Sequence, residues 1–297
     1  MDNKSDMCQS FSGYLLWKPA AWLSVTGEDA ATFLQGQFTN DLRSVAAEEA
    51  VYGLWLTVKG RVLADSFVQR RADGGFWIGS YFSSAQSIRE RLEAFVIADD
   101  VIVEDVTPDW HAVTAFGEAA NGIMRSLGPG ARSFEGRRAK QSRTEWVFPV
   151  AILEQVKTHL ISAREMDVRE MEQMRIADGI PAVPADIGPG ELPQEGRLET
   201  AAISYTKGCY LGQEVMARLK SMGQVRRQLL RVRGTGAVPP LPATIHQGGR
   251  RIGEMKTMVA LPQGFMGLAL LSTLHLQRDA GLGWGTGAND LVLDEPA

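Results

Sequence analysis

The sequence predicts an α+β protein that ends in a small all-β module. The amino-terminal part alternates between strand-like runs and segments with helical apolar spacing. From about residue 225 the pattern changes to short strand-like runs between Gly and Pro turns. At 297 residues the chain is long enough for more than one domain with its own core. We therefore expect a body over residues 1–224 and a separate all-β module over residues 225–297.

The first part of the body has the element order strand, helix, strand, strand, helix, strand. Thr26 and Asp29 resemble a capping box at the start of the first helix, and Ser84 opens the second. A tight "VKG" turn joins the two central strands. This β-α-β-β-α-β order is the ferredoxin-like pattern. The predicted strands are "AWLSV" (21–25), residues 50–57, residues 61–69 and "VIVEDV" (101–106), with "GFWIGS" (75–80) extending the sheet.

A looser copy of the same pattern follows, so we expect two ferredoxin-like subunits, over roughly residues 15–108 and 109–224. Its strands are "HAVTAF" (111–116) and "TEWVFPV" (144–150), and its best helix begins at Asp167 and ends at Gly179. The stretch 128–143 is polar and rich in Gly and Arg, which predicts a solvated loop. For its Arg-rich part, "EGRRAKQSR" (135–143), contact with RNA or an acidic partner is the alternative.

Composition narrows the class of protein. The net charge of −4 gives no overall basic field, so we expect no direct nucleic-acid binding. The two cysteines, Cys8 and Cys209, do not form a disulfide framework, which favours a reducing compartment. The first residues lack an apolar signal core, and no apolar run reaches the length of a membrane helix. We expect a cytoplasmic protein without a membrane segment.

The stretch "SYTKGCYLGQEV" (204–215) places Cys209 two residues after Lys207 and between two glycines. Lys207 favours a thiolate if both side chains share a face. Cys209 has four open interpretations: nucleophile, metal ligand, ligand-binding loop residue or small core residue. The scattered histidines argue against Cys-His catalysis. A lone cysteine does not hold an iron–sulfur cluster, and zinc-type spacing is absent, so we predict no resident metal.

Three further residues have two interpretations each. Asp65 lies on the same strand face as Leu63 and Phe67, where a carboxylate must be paired, protonated or bound to a ligand. Trp22 is either core packing or an aromatic wall for a flat ligand. Asp178 closes a helix at the end where an acid opposes the macrodipole, which hints at a function.

Several of these segments resemble a known family. "KGCYLGQE" (207–214) is similar to the K-G-C-Y-x-G-Q-E motif of YgfZ-type folate-binding proteins, which resemble the glycine-cleavage T-protein, an aminomethyltransferase, in fold. The resemblance covers most of the chain. The supporting segments, in order, are "FLQGQFTNDL" (33–42), "LTVKGRVLADS" (56–66), "MRIADGIPAV" (174–183) and the stretch that leads into the cysteine motif.

The resemblance implies a folate-binding body of ferredoxin-like units and a carboxy-terminal β-barrel. It implies binding of tetrahydrofolate or a one-carbon derivative, a role in iron–sulfur cluster assembly or repair with iron–sulfur client or assembly proteins as partners, and an indirect effect on tRNA modification. Lys207 and Cys209 are then the candidate chemical residues. The candidate folate contacts are Trp22, Asp65, Met171, Asp178, Tyr210, Gln213, Glu214 and Arg218.

The sequence departs from the T-protein pattern at three positions. The usual Asp-Asp pair reads Ala64-Asp65, which argues against aminomethyl transfer and leaves enzymatic activity open. The R-x-E-A-G motif carries its acid one residue later, at Asp178, so that Asp178 either substitutes for the pterin-binding Glu or recognition weakens. Met171 stands in place of a tryptophan. The alternatives are a folate-dependent aminomethyltransferase and a protein-interaction module that has lost folate.

Overall fold

The computed structural model describes residues 12–126 and 130–294, so Cys8 lies outside the described residues. Within them the chain forms three antiparallel sheets, which confirms the α+β class. None of the helices among these residues is long and apolar enough to cross a membrane. The strands are β1 (Gly13–Trp17), β2 (Ala21–Thr26), β3 (Ala50–Leu56), β4 (Val62–Arg70), β5 (Phe76–Ser80), β6 (Ile102–Asp105), β7 (Trp110–Phe116), β8 (Arg132–Glu135), β9 (Arg143–Pro149), β10 (Arg227–Gly234), β11 (Ala243–Gln247), β12 (Arg250–Leu261), β13 (Gly264–Ser272) and β14 (Leu291–Leu293). The α-helices are α1 (Ala30–Gln37), α2 (Ala85–Glu93), α3 (Gly117–Ser126), α4 (Leu153–Leu160), α5 (Val168–Ala177), α6 (Glu199–Ala202) and α7 (Gln213–Met222).

The first sheet has the strand order β3-β4-β5-β2-β6 and confirms the predicted ferredoxin-like unit, with β5 as an added strand between β4 and β2. One face of this sheet packs against α1 and α2, and Leu34, Trp55 and Ile88 lie in that core. Ser84 caps α2 by accepting from the Ser87 N–H, as its sequence position predicts. The opposite face carries Trp22 and Phe67 into a second and larger core.

The second sheet has the order β1-β7-β9-β8 and packs against α3 and α4. Strand β1 precedes the first unit in the chain but pairs with β7 of the second, with Leu15 opposite Thr114. Strand β8 corrects the predicted loop over residues 128–143, of which 128 and 129 lie outside the described residues. Phe134 of β8 lies opposite Glu145 of β9 and is buried. Strand β8 forms because β9 supplies its hydrogen-bond partners, which the polar local sequence does not reveal.

The third sheet confirms the predicted all-β module, and its strand order is β11-β12-β13-β10-β14. Isolated bridges connect the first and last strands of this order through one segment. His246 of β11 pairs with Gly283, and Leu282 pairs with Leu291 of β14. The sheet therefore curls into a small barrel around an apolar core of its own.

A buried ion pair joins the body to this barrel. The Arg175 guanidinium on α5 donates to the Asp186 Oδ2 atom at 2.7 Å and to the Ile180 carbonyl at 2.6 Å. The other carboxylate oxygen of Asp186 accepts from the Thr257 hydroxyl of β12 at 2.6 Å. Arg175 and Asp186 are both shielded from solvent. Their contacts fix the end of α5 and the segment that follows it against the barrel.

Replacing Arg175 with methionine should destabilise the chain strongly. Asp186 then remains buried without its cation, a loss of about 3–5 kcal/mol in the free energy of unfolding. Urea denaturation followed by circular dichroism measures this loss. The control is Arg169→Met on the same helix, where the guanidinium donates to the Ala260 carbonyl at an exposed site. Equal losses in the two variants would contradict the structural role assigned to Arg175.

Candidate functional site

The Lys207 side chain ties the cysteine motif to the end of helix α1. Its ammonium donates to the carbonyls of Gln35 at 2.7 Å, Phe38 at 2.6 Å and Asn40 at 2.9 Å. A helix leaves its last carbonyls without partners, and an ammonium has three N–H donors to offer them. Burial lowers the pKa of Lys207 to about 8, so the side chain is still a cation at neutral pH. Lys207 therefore orients the loop, and its nitrogen is fully engaged.

The motif segments singled out in the sequence meet at this point. The Leu211 N–H donates to the Gly36 carbonyl at 3.1 Å, and the Ser204 N–H donates to the Thr39 carbonyl at 3.1 Å. Gly212 has a φ of +85°, and a Cβ atom there would lie 2.9 Å from the Thr57 carbonyl oxygen of the "VKG" hairpin. A glycine is required at this position because both its conformation and its contact exclude a side chain.

Cys209 is exposed and lies between two anchored neighbours. Lys207 precedes it by two residues, and Tyr210 follows with a buried ring, 5.1 Å from the Lys207 nitrogen. The Tyr210 hydroxyl is buried and has no hydrogen-bond partner among the described residues, and burial raises its pKa. The thiol is thus presented to solvent by a well-held backbone, which excludes the inert core interpretation.

The Asp65 carboxylate is buried on the apolar face of β4, and three hydroxyl groups surround it. Its Oδ1 atom accepts from Ser80 at 2.7 Å and from Ser83 at 2.8 Å, and its Oδ2 atom accepts from Tyr52 at 2.9 Å. Burial raises the pKa of Asp65, and the three hydroxyl donors act in the opposite direction without cancelling it. A carboxylate is tolerated on this apolar strand face because the three hydroxyls supply hydrogen bonds to it.

Two arginines fill the pocket beside Asp65. The Arg137 guanidinium lies 3.9 Å from the centre of the Tyr52 ring, and Arg138 lies 4.2 Å from the rings of both Trp17 and Tyr81. The remaining volume is about 10 Å³, which is room for one water molecule. We call this space the aromatic pocket.

The position of Arg138 corrects the prediction of a solvated loop. Its side chain is only 7 % exposed, and neighbouring Ala139 is fully buried. Arginine stacks on aromatic faces, and this gain offsets part of the cost of removing it from water. A count of charges in the local sequence cannot reveal those rings, because they come from β1 and from the segment after β5.

A short series of contacts connects the cysteine motif with the aromatic pocket. Asn40, whose carbonyl accepts from Lys207, donates through its side chain to the Tyr52 carbonyl at 2.8 Å. The hydroxyl of Tyr52 in turn donates to Asp65. Lys207 and Asp65, predicted from separate motifs, are therefore linked through two intervening residues.

The other predicted contacts lie elsewhere. Trp22 is buried and packs against Trp77, Trp110 and Phe134, with ring centroids between 5.7 and 6.4 Å away. Met171 is buried in the small core that contains Ala139. Neither side chain lines the aromatic pocket. Asp178 lies at the end of α5 and accepts from the Lys140 N–H at 2.6 Å.

Helix α7 carries the last part of the motif. It begins at Gln213, which is half-buried, and Glu214 and Arg218 are exposed on it. Among the described residues, no cluster of three or more His, Cys, Asp or Glu side chains has the geometry to hold a metal ion.

Sequence reasoning missed the hydroxyls and arginines around Asp65. Tyr52 lies on the strand paired with that of Asp65, so strand pairing would have located it. Ser80 is the last residue of β5, which pairs with β4, and Ser83 follows three residues later. Arg138 carried no local signal for burial.

Comparison with known proteins finds a similar domain and a similar fold. Residues 19–146 match the model of the GCVT N-terminal domain. The fold is similar to the crystal structure of glycine cleavage system aminomethyltransferase T from Bartonella henselae, with a TM-score of 0.76 and 16% sequence identity. The match covers 92% of this chain and 82% of that one. Residues 19–146 are therefore similar to the GCVT N-terminal domain, and the fold of the chain is similar to that of the T-protein.

Related sequences include two named groups. The human "Iron-sulfur cluster assembly factor IBA57, mitochondrial" is 29% identical, over 87% of this chain and 79% of the relative. The "tRNA-modifying protein YgfZ" of Vibrio vulnificus (strain CMCP6) is 28% identical, over 78% and 73%. The protein of the same name from Edwardsiella ictaluri is 28% identical, over 90% and 85%. The YgfZ-type resemblance predicted from the sequence is confirmed.

The buried Lys207 amine predicts that stability rises at alkaline pH. Its pKa is about 8 in the folded chain and has its ordinary value of 10.5 when solvated. Between these values the unfolded chain holds a proton that the folded chain has released, so the free energy of unfolding increases with pH. Urea denaturation at several pH values above 7 should show this increase for the wild type relative to Lys207→Met.

The exposed Lys59 provides the control for this measurement. Lys59→Met should keep the full alkaline increase. If the wild type and Lys207→Met differ by the same amount at every pH, Lys207 keeps its proton throughout and the assigned shift is wrong.

Proposed function

We propose that this chain binds a reduced folate, tetrahydrofolate or a one-carbon derivative, and supports iron–sulfur cluster assembly or repair. An effect on tRNA modification is then indirect, through iron–sulfur proteins that the chain serves. The observation that carries the proposal is the exposed Cys209, held on an anchored loop that is linked through Asn40 and Tyr52 to the buried Asp65. The names of the IBA57 and YgfZ relatives support the cellular role, and the T-protein-like fold supports folate.

The lining of the aromatic pocket has the chemistry that a pterin ring requires. A carboxylate such as Asp65 offers two acceptor oxygens to the paired amide and amino donors of the pterin edge. Tyr52 and Tyr81 provide faces on which a flat ring stacks. The guanidinium groups of Arg137 and Arg138 occupy those faces, so folate binding requires these two side chains to move.

The Cys209 thiol is the group through which the loop would act on a partner. Its exposure allows contact with an iron–sulfur cluster in transit, with a partner thiol or with a client protein. Lys207 holds the loop and has no free N–H donor at this point. We therefore assign Lys207 a positioning role and Cys209 the chemical role.

Binding is favoured over aminomethyl transfer by the residue that precedes Asp65. Ala64 stands where T-proteins have a second acid, so a carboxylate that could serve as the base is missing there. A general base needs an oxygen within reach of the proton that it removes. A chain that has lost folate altogether is the remaining alternative, and the first experiment below tests it.

Titration with tetrahydrofolate should quench tryptophan fluorescence in a saturable manner. Asp65→Asn keeps the shape of the side chain and removes its charge, so affinity should fall about 10- to 100-fold, as expected for a hydrogen bond to a charged group. Asp105→Asn, at an exposed position of β6, is the control and should bind like the wild type. A wild-type chain without a saturable response would rule out the folate part of the proposal.

Cys209→Ser should fold normally and keep its affinity for tetrahydrofolate, because the thiol is exposed and its neighbours supply the anchoring contacts. We expect this variant to lose the ability to restore an iron–sulfur enzyme in cells that lack the chain. Enzyme activity in cell extract is the measurement, and Cys8→Ser is the control that should restore it fully. Full restoration by Cys209→Ser would leave the thiol without the proposed role.

A further inference from the structure

A cavity of about 390 Å³ lies among helix α6, the carboxy-terminal end of α7 and the start of β10. Its volume is within the range of small-molecule sites in proteins. None of the described residues lines both this cavity and the aromatic pocket. We call it the α7 cavity and define it by six of its lining residues, which are Gln194, Glu199, Tyr205, Leu219, Lys220 and Val225.

Two side chains of the α7 cavity each bury an oxygen atom that has no hydrogen-bond partner in the described part of the chain. These atoms are Oε1 of Gln194 and Oε2 of Glu199. An amide oxygen and a carboxylate oxygen both accept hydrogen bonds and do not donate them. A buried acceptor without a donor is destabilising, and more so when it carries charge. The two oxygens therefore offer a place to N–H donors from outside the chain.

The α7 cavity also carries one charge of each sign. Lys220, in the last turn of α7, holds its nitrogen 4.1 Å from the centre of the Tyr205 ring and is exposed. Neither Lys220 nor Glu199 forms an ion pair with any of the described residues. Two opposite charges that line one cavity without pairing fit a ligand that carries both charges itself.

The rest of the wall is largely apolar. Tyr205, Leu219 and Val225 are all half-buried, so each keeps part of its apolar surface open. Tyr205 and Leu219 also pack against the large core of the body, which holds this side of the cavity in place. Contact with a hydrocarbon group would remove apolar surface from water on both sides. The wall therefore favours a ligand with an apolar side chain.

The α7 cavity adjoins the cysteine motif through Tyr205, which precedes Lys207 by two residues. The hydroxyl of Tyr210 is buried without a hydrogen-bond partner among the described residues. Burial raises the pKa of Tyr210 and nearby Tyr205 adds to the increase, so the two tyrosines interact. Cys209 itself does not line the cavity.

We propose that the α7 cavity binds a free α-amino acid with an apolar side chain. The ammonium group of the ligand donates to Glu199 and Gln194, and its carboxylate pairs with Lys220. Its side chain lies against Leu219 and Val225. The inference goes beyond the proposed folate function and does not depend on it, because the aromatic pocket takes no part in this site.

Isothermal titration at pH 7 with three related compounds tests this inference. L-Leucine carries both charges, 4-methylpentanoate lacks the ammonium group and L-leucinamide lacks the carboxylate. We expect 4-methylpentanoate to bind about tenfold more weakly than L-leucine, because it leaves two buried oxygens without a donor. L-Leucinamide should bind about threefold more weakly, since a pair with the exposed Lys220 is worth less.

Two variants assign these differences to residues. In Glu199→Gln the affinity for L-leucine should fall about tenfold, and in Lys220→Met L-leucine and L-leucinamide should bind alike. Glu104→Gln and Lys59→Met remove the same charges at exposed positions elsewhere and should bind all three compounds like the wild type.

Urea denaturation of each variant shows whether it is folded, and Lys220→Met tests the site even if Glu199→Gln does not fold, because Lys220 is exposed. A wild-type chain without heat of binding for L-leucine at millimolar concentrations overturns the inference. So does L-leucine binding that is unchanged in folded Glu199→Gln, or a preference for L-leucine over L-leucinamide that persists in Lys220→Met.

Discussion

The Lys207 ammonium and the three carbonyls that it caps hold the candidate site together. These contacts join residues that are 167 to 172 positions apart in the chain. Because the ammonium donates to carbonyls at and just beyond the end of α1, the helix end and the cysteine loop are held together. Asn40 is one of the three acceptors, and through Tyr52 it connects this position to Asp65. Loss of the lysine would therefore affect Cys209 and the aromatic pocket together, although its nitrogen contacts neither.

The buried charges at and around Asp65 are stabilised by groups that could also bind a ligand. Hydroxyls stabilise the carboxylate, and aromatic faces stabilise the neighbouring guanidinium groups of Arg137 and Arg138. Cation–π contacts are worth about 0.5–2 kcal/mol each, so a flat ring that stacks equally well can replace an arginine at modest cost. The same segment places Lys140 two residues after Arg138, at an exposed position. One loop thus sets the contents of the aromatic pocket and carries a charged side chain to the surface.

The fold itself was largely accessible from local sequence. Alternating apolar residues on β2 and β4, the Ser84 cap of α2 and the Asp167 capping box of α5 all specify their elements over a few residues. Strand β1 was not accessible in this way, because its partner β7 begins almost 100 residues later. Strand β8 was missed for the same reason, since it depends on β9 rather than on its own composition.

The sequence by itself determined that Cys209 lies between glycines after a lysine, that Asp65 stands on an apolar strand face, and that the chain ends in a β module. These features depend on spacing, which is a property of neighbouring residues. Only the tertiary structure decided that Lys207 is a helix cap, that Trp22 and Met171 are core residues, and that Arg138 is buried. Each of those outcomes depends on carbonyls or rings supplied by distant segments. Packing, and not local pattern, fixes which polar group meets which partner.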